Sequence, residues 1–118
     1  MHTTTMMDDA ALQNCIRECM QCVQACNRCY YSCLNEEDPG MMKDCIRLDR
    51  ECASICFYAA DALSRGTPFS ASIAELCAQI CDACGEECAR HEHEHCKRCA
   101  EVCRSCAEAC RRIAAPAA

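Results

Sequence analysis

The feature that most constrains this chain is the spacing of the cysteines in its first third. The stretch CIRECMQCVQACNRCYYSC, residues 15–33, holds six cysteines at alternating intervals of four and three residues. Residues three and four apart lie on one face of an α-helix, so these cysteines form a single stripe. Helices in bundles turn such a stripe inward, where leucine normally lies. The stretch therefore predicts a core helix whose buried positions carry thiols.

Short turns divide the chain into four segments rich in helix-forming residues. A Pro39-Gly40 pair marks the first turn, residues 66–68 mark the second, and residues 89–95 form a softer third break. Gly66 also suits the C-terminal cap of a helix. Because β-branched residues are sparse, we predict helices at about 6–34, 41–65, 69–90 and 93–113.

Connections this short join antiparallel neighbours, which predicts an all-α, up-down-up-down antiparallel four-helix bundle with cysteines lining the core. With 118 residues, we expect residues 1–118 to form one domain around one core. In the second helix, Leu48, Ala59 and Leu63 are expected to fill stripe positions without sulfur. The 18 thiols should share one interior and are the candidate metal ligands: Cys15, Cys19, Cys22, Cys26, Cys29, Cys33, Cys45, Cys52, Cys56, Cys77, Cys81, Cys84, Cys88, Cys96, Cys99, Cys103, Cys106 and Cys110.

Whether the cysteines form disulfides or bind metal depends on the redox state of the compartment that holds the protein. Residues 1–9 have no basic region followed by an apolar run, so they lack the pattern of a secretory signal. No stretch approaches the roughly 20 apolar residues that cross a bilayer. We therefore expect a cytoplasmic protein without a membrane partner, in a compartment where thiols stay reduced. Within one helix, β-carbons four residues apart lie about 5–6 Å from each other, too far for a disulfide.

Thiolate ligands select Cu(I), zinc and iron–sulfur clusters. Cu(I) accepts two or three thiolates, and one helix can nearly supply these from a C-x-x-x-C pair, of which the sequence has eight. Zinc needs four ligands in a tetrahedron, usually from turns, and the iron–sulfur run C-x-x-C-x-x-C-x-x-x-C-P does not occur. The pattern favours storage and detoxification of multiple Cu(I) ions per chain. The alternative is a zinc or general thiolate buffer, similar in purpose to metallothionein.

No motif in the sequence indicates an enzyme or a nucleic-acid partner. A Gly-rich phosphate loop and a nucleophile elbow are absent, and 18 like ligands would saturate a metal that catalysis needs open. The net charge of −6, with 12 basic residues among 18 acidic ones, argues against binding to nucleic acid. We expect a protein that is not an enzyme; the enzymatic alternative is thiol redox or metal oxidation chemistry at the histidine-rich end.

The two ends of the predicted bundle carry different residues. We call the mouth the end that holds the turn between the first two helices and the turn between the last two. His91 and His95 continue the third stripe there, whereas His93 is out of step and is expected to face solvent. Met41 and Met42 lie at the same end, either as ligands or as packing residues. The opposite end, called the apolar end, is expected to hold Leu12, Ala59, Leu63, Phe69, Ile73 and Ile113.

From the stripe that begins at Cys15 to the stripe that ends at Cys110, the chain resembles the bacterial copper storage proteins, specifically their cytosolic branch. The resemblance implies many Cu(I) ions in the bundle core and a homotetramer of such bundles. It also implies that copper enters at one end through His or Met residues, which here map onto His91, His95, Met41 and Met42. Outer apolar residues could cover a subunit interface or form the edges of the monomer core: Ile16, Val23, Tyr30, Ile46 and Phe57.

Overall fold

Four antiparallel helices build the molecule, and the computed structural model describes the backbone of residues 2–114 and the side chains of residues 9–114. The helices are α1 (His2–Leu34), α2 (Lys43–Ser64), α3 (Ser70–Ala89) and α4 (Glu94–Ala114). α1 packs against α2 and α4, and α3 packs against the same two helices, so the four form a square in cross-section. The predicted all-α four-helix bundle is confirmed.

Proline and glycine shape the two turns that the sequence marks most clearly. Residues Pro39–Met42 form a short 3-10 helix, so α2 begins at Lys43, slightly later than the spacing predicts. Pro39 suits this first turn because its missing N–H would have no partner there. Gly66 has a φ of +69°, which confirms it as the glycine cap after α2. Only glycine adopts this left-handed conformation without a steric penalty.

Small side chains fill the core of the bundle. All 18 cysteines are fully buried, and alanines such as Ala74 and Ala107 lie beside them. The largest fully buried side chains are Leu63 and Asp49. A narrow core requires closely spaced helices, and Gly85 on α3 meets this need. A Cβ added there would lie 3.4 Å from the Cβ of Cys103 on α4, at the short limit of an ordinary van der Waals contact.

Apolar side chains close the bundle at the end opposite the mouth. The expectation for Phe69 is wrong, because this residue is 67% exposed. α3 begins at Ser70, and counting back from Cys77 the stripe reaches the buried Ala74, so Phe69 is off the stripe. The other residues of the apolar end are fully buried or pack against the core: Leu12, Ala59, Leu63, Ile73 and Ile113.

Four of the five outer apolar residues divide into two groups, and the fifth, Tyr30, is half-buried. Ile16, Val23 and Ile46 pack against the cysteine core, so they form the edge of the monomer core. Phe57 instead projects from α2 and is exposed. Among residues 2–114, the helices are all too short or too polar for a membrane span.

Candidate metal centre

The thiols of all four helices form a continuous column along the bundle axis. All of them are free and buried. Sγ atoms on neighbouring helices lie close together, at 3.3 Å for Cys45 and Cys88 and at 3.7 Å for Cys22 and Cys52. A disulfide would need about 2.05 Å, so these sulfurs are non-bonded neighbours. The column therefore presents reduced sulfur ligands along the bundle from the mouth towards the apolar end.

Groups of four thiols that could share an ion draw on several helices. Cys22 and Cys26 of α1 meet Cys52 of α2 and Cys103 of α4, and their sulfurs all lie within 4.8 Å of one another. The sequence spacing assigns ions to pairs along one helix, yet the sulfurs of Cys22 and Cys26 are 3.9 Å apart, no closer than the 3.7 Å between Cys22 and Cys52. Each sulfur thus has partners on its own helix and on others. Further groups are Cys19, Cys77, Cys106 and Cys110, then Cys26, Cys84, Cys99 and Cys103, then Cys29, Cys33, Cys45 and Cys96.

His95 joins the column at the mouth. Its Nδ1 lies 3.4 Å from Sγ of Cys29, 3.6 Å from Sγ of Cys96 and 4.0 Å from Sγ of Cys33. Its Nε2 lies 2.8 Å from a carboxylate oxygen of Glu36, in the turn after α1. Imidazole nitrogen is a good ligand for copper and zinc. One ring nitrogen of His95 is therefore placed to share an ion with the outermost thiols.

The other candidate ligands at the mouth have different surroundings. Among the described residues, His91 contacts the carboxylate of Glu87, 2.9 Å from its Nε2, and no thiol. Met42 is 3% exposed and belongs to the core, whereas Met41 is 72% exposed. The ring of His93 stacks on that of His95, with centroids 5.3 Å apart and planes 5° apart. His95 thus contacts the outermost thiols at the mouth, Met42 is buried in the core, and Met41 lies at the surface.

Asp49 on α2 is a buried polar residue that the sequence reasoning missed. Its side chain is fully buried among the thiols of three helices. Oδ1 accepts S–H hydrogen bonds from Cys84 and Cys99, both at 3.4 Å, and from Cys88 at 3.6 Å. Oδ2 accepts a longer one from Cys45, at 3.8 Å. The column therefore contains one carboxyl group, within reach of four thiols near the mouth.

The register of α2 explains how this residue comes to lie in the core. From Cys45, intervals of four and three lead to positions 49, 52, 56, 59 and 63. Leu48 is out of step and only partly buried, so the expectation that it fills the stripe is wrong. Asp49 takes the position that cysteine has on the other helices. A strict count of the intervals would have found it.

Burial sets the protonation of the core before any metal binds. It raises the pKa of Asp49 to about 9, chiefly because the ionised carboxylate would lose its solvation. Burial likewise raises the pKa of the Cys33 thiol at the mouth. A charged group without solvent is costly unless it is paired. Asp49 and Cys33 are therefore protonated and neutral in the metal-free core at neutral pH, and a thiol that binds metal must release its proton.

One family of known proteins matches nearly the whole chain. The family described as copper storage protein matches residues 8–115. A curated relative, the uncharacterized cysteine-rich protein YhjQ of Bacillus subtilis (strain 168), is 50% identical over 64 residues, which make up 54% of this chain. The matched region spans 59% of the length of that relative.

Solved structures of similar proteins have the same fold. The Cu(I)-bound copper storage protein BsCsp3 is 48% identical, with a TM-score of 0.86, over 89% of this chain and 99% of its own. A cytosolic copper storage protein from Streptomyces lividans, solved with five coppers, is 43% identical, with a TM-score of 0.91, over 95% of this chain and 98% of its own. With its cysteine-lined bundle and this family match, the chain belongs to the copper storage protein family.

Proposed function

We propose that this protein stores and sequesters many Cu(I) ions in the cytosol, by thiolate coordination inside its four-helix bundle. The observation that carries the proposal is the column itself: all 18 cysteines are fully buried. Their sulfurs cluster in groups of four within 4.8 Å. A core selected for stability alone would bury larger apolar side chains, since buried area supplies the hydrophobic free energy. The cytosolic location is supported by the relative from Streptomyces lividans, which is described as cytosolic.

The ligand set that we propose consists of the 18 cysteines, with His95 at the mouth. Cu(I) is a soft ion that prefers thiolate ligands, and neighbouring groups in the column share sulfurs such as Cys22, Cys26 and Cys103. Shared sulfurs can bridge ions, so capacity need not stop at one ion for two thiols. His91, Met41 and Met42 are weaker candidates, because His91 pairs with Glu87, Met41 faces solvent and Met42 packs in the core.

Copper uptake is proposed to begin at the mouth. There the Nδ1 of His95 lies within 4.0 Å of three thiols and is itself only partly buried. An arriving ion can exchange a carrier ligand for the imidazole and then for thiolates, one ligand at a time. Each thiol that becomes a ligand loses its proton. Asp49 lies one level deeper and contacts four of the thiols that must be deprotonated as the column fills.

We also propose that the bundles assemble into a homo-oligomer, with the tetramer implied by the family resemblance as the expected form. Exposed large apolar side chains on one surface are a common sign of an interface. Phe57 and Tyr58 on α2 and Leu76 on α3 are exposed large apolar side chains on two adjacent helices. Size-exclusion chromatography with light scattering should give four chain masses. A mass of one chain, 13.1 kDa, would contradict the proposal.

The storage function is tested by anaerobic titration of the fully reduced protein with Cu(I). We expect binding to continue well beyond nine equivalents, the number that two thiols per ion would give for 18 cysteines. Saturation at one or two ions per chain would refute storage. A competition with zinc distinguishes the alternative, because a zinc buffer would retain zinc when equimolar Cu(I) is added.

A further inference from the structure

The ring of His95 is held on three sides. Its Nδ1 faces the outermost thiols, and the nearest of these is Cys29, at 3.4 Å. Its Nε2 faces Glu36, at 2.8 Å. The ring of His93 covers one face in a nearly parallel stack. His95 is therefore fixed in both position and orientation before any ion arrives.

The two ring nitrogens have different partners, and this decides which of them carries the proton. A neutral imidazole has one N–H donor and one acceptor nitrogen, whereas an ionised carboxylate only accepts. The contact with Glu36 is satisfied when Nε2 carries the hydrogen and donates it to the carboxylate. Nδ1 then presents its lone pair to the thiols. The hydrogen bond made by one nitrogen commonly determines which nitrogen binds metal.

We propose that Glu36 is a positioning residue for copper uptake, which holds His95 in the tautomer with a free Nδ1 aimed at the column. This rests on the proposed function, because it assigns a part in copper binding to the mouth. Without Glu36, the ring can carry its hydrogen on Nδ1 and donate it to a cysteine sulfur. In that state the nitrogen nearest the thiols has no lone pair to offer to an ion.

The chain reaches this arrangement through a local feature of the fold. Glu36 lies three residues after Cys33, the last thiol of α1, and His95 lies at the start of α4, next to Cys96. The Glu36 side chain is about one quarter exposed, so its carboxylate lies at the rim, outside the ring and opposite the sulfurs. Glu36 also approaches His93, at 3.5 Å from its Nδ1, and so faces both stacked rings.

The first test reads the tautomer in the full chain, metal-free and reduced, by NMR with ¹⁵N-labelled histidine at a pH at which the ring is neutral. The chain has four histidines, and a His95→Ala variant assigns the signals of this ring. We expect hydrogen on Nε2 in the wild type and a severalfold higher fraction on Nδ1 in Glu36→Ala. Glu37→Ala is the matched control, with the same loss of charge at an exposed neighbour. An unchanged tautomer in Glu36→Ala would overturn the proposal.

The second test measures uptake of the first equivalents of Cu(I) from a chelated donor. Removal of the partner that orients a metal ligand typically lowers the affinity for the metal 10–100-fold. We expect Glu36→Ala, but not Glu37→Ala, to lower the affinity for the first Cu(I) equivalents by a factor of that size. In a His95→Ala background, Glu36→Ala should have no further effect. An equal loss in both backgrounds would show that Glu36 acts by another route. A wild-type protein that saturated at one or two ions would refute storage, while the NMR result would stand independently.

Discussion

The mouth and the apolar end lie on the same four helical stripes, yet the stripe positions carry opposite kinds of residue. Near the mouth the stripes hold Cys33, Cys45, Cys96 and Asp49, with His95 beside them. At the apolar end they hold Ala59 and Leu63, with Leu12 and Ile113 packed alongside. One end can therefore exchange ligands and protons, and the other supplies packing. A single helical register therefore serves both storage and stability, because its residue types change along the axis.

The largest expected effect comes from truncation at the apolar end. Leu63→Ala removes the largest fully buried side chain and should lower the free energy of unfolding of the metal-free protein by about 2–5 kcal/mol. Its copper capacity should stay unchanged. Urea unfolding followed by circular dichroism, together with Cu(I) titration, checks both. Leu34→Ala, at an exposed position at the end of α1, is the control. A loss of capacity in Leu63→Ala would break the division of roles between the ends.

A second effect belongs to the thiol-rich half and depends on pH. The pKa of Asp49 is about 9 in the fold and about 3.9 in an unfolded chain, so the folded state holds this proton more tightly. Its stabilising contribution is present in full below pH 4 and falls as the pH rises towards 9, by at most about 1.4 kcal/mol per unit. Asp49→Asn should remove this component. The free energy of unfolding, measured at pH 5, 6, 7 and 8, tests this. An equal dependence on pH in the wild type and in Asp49→Asn would contradict the raised pKa of Asp49.

The rate of copper uptake should distinguish His91 from His95, the two histidines that the spacing after α3 predicts as ligands. His95→Ala removes the nitrogen that faces the thiols and should slow loading of the first Cu(I) ions at least about tenfold, equivalent to about 1.4 kcal/mol. His91→Ala removes a partner of Glu87 and should leave the rate nearly unchanged. Stopped-flow mixing with a chelated Cu(I) donor measures both. If copper loading were equally slow in both variants, His91 would also be a ligand for copper uptake.

The smallest effect is expected at the exposed methionine of the mouth. Met41→Ala should change stability by less than about 0.5 kcal/mol, as is usual for a surface position, and should not alter copper uptake. Met20→Ala on α1 is a comparable exposed control. If only Met41→Ala slowed uptake, the ligand interpretation of Met41 would be supported and the mouth would extend further into solvent than the described contacts indicate.

Much of the bundle could be predicted because helical period is a local property. The intervals of four and three at Cys15–Cys33 require one face, and a face of that kind must be buried, so the inward thiols were predictable. The grouping of Cys22 with Cys52 and Cys103 was not, because it depends on how far neighbouring helices are shifted along their axes. Period alone contains no information about that shift.

The mouth shows the same limit for single residues. His91 and His95 are equally good continuations of the third stripe, but α3 ends at Ala89 and α4 begins at Glu94. Beyond a helix end the stripe no longer determines direction, so His91 turns to Glu87 and His95 takes its direction from α4. Asp49 is a different case, since strict counting predicts its burial, although counting does not reveal that four thiols surround it.

The apolar side chains at one end of the bundle affect the order in which copper ions enter and leave. Leu63 and Ala59 are fully buried at that end, so on the route proposed above copper both enters and leaves past His95. In a column with one opening, the ions that arrive last lie nearest the rim. They are therefore the first that an acceptor can reach. On this proposed route, ions held near Cys15 and Cys110, whose sulfurs lie 3.7 Å apart, would form a deep reserve that becomes available only after the outer ions have gone.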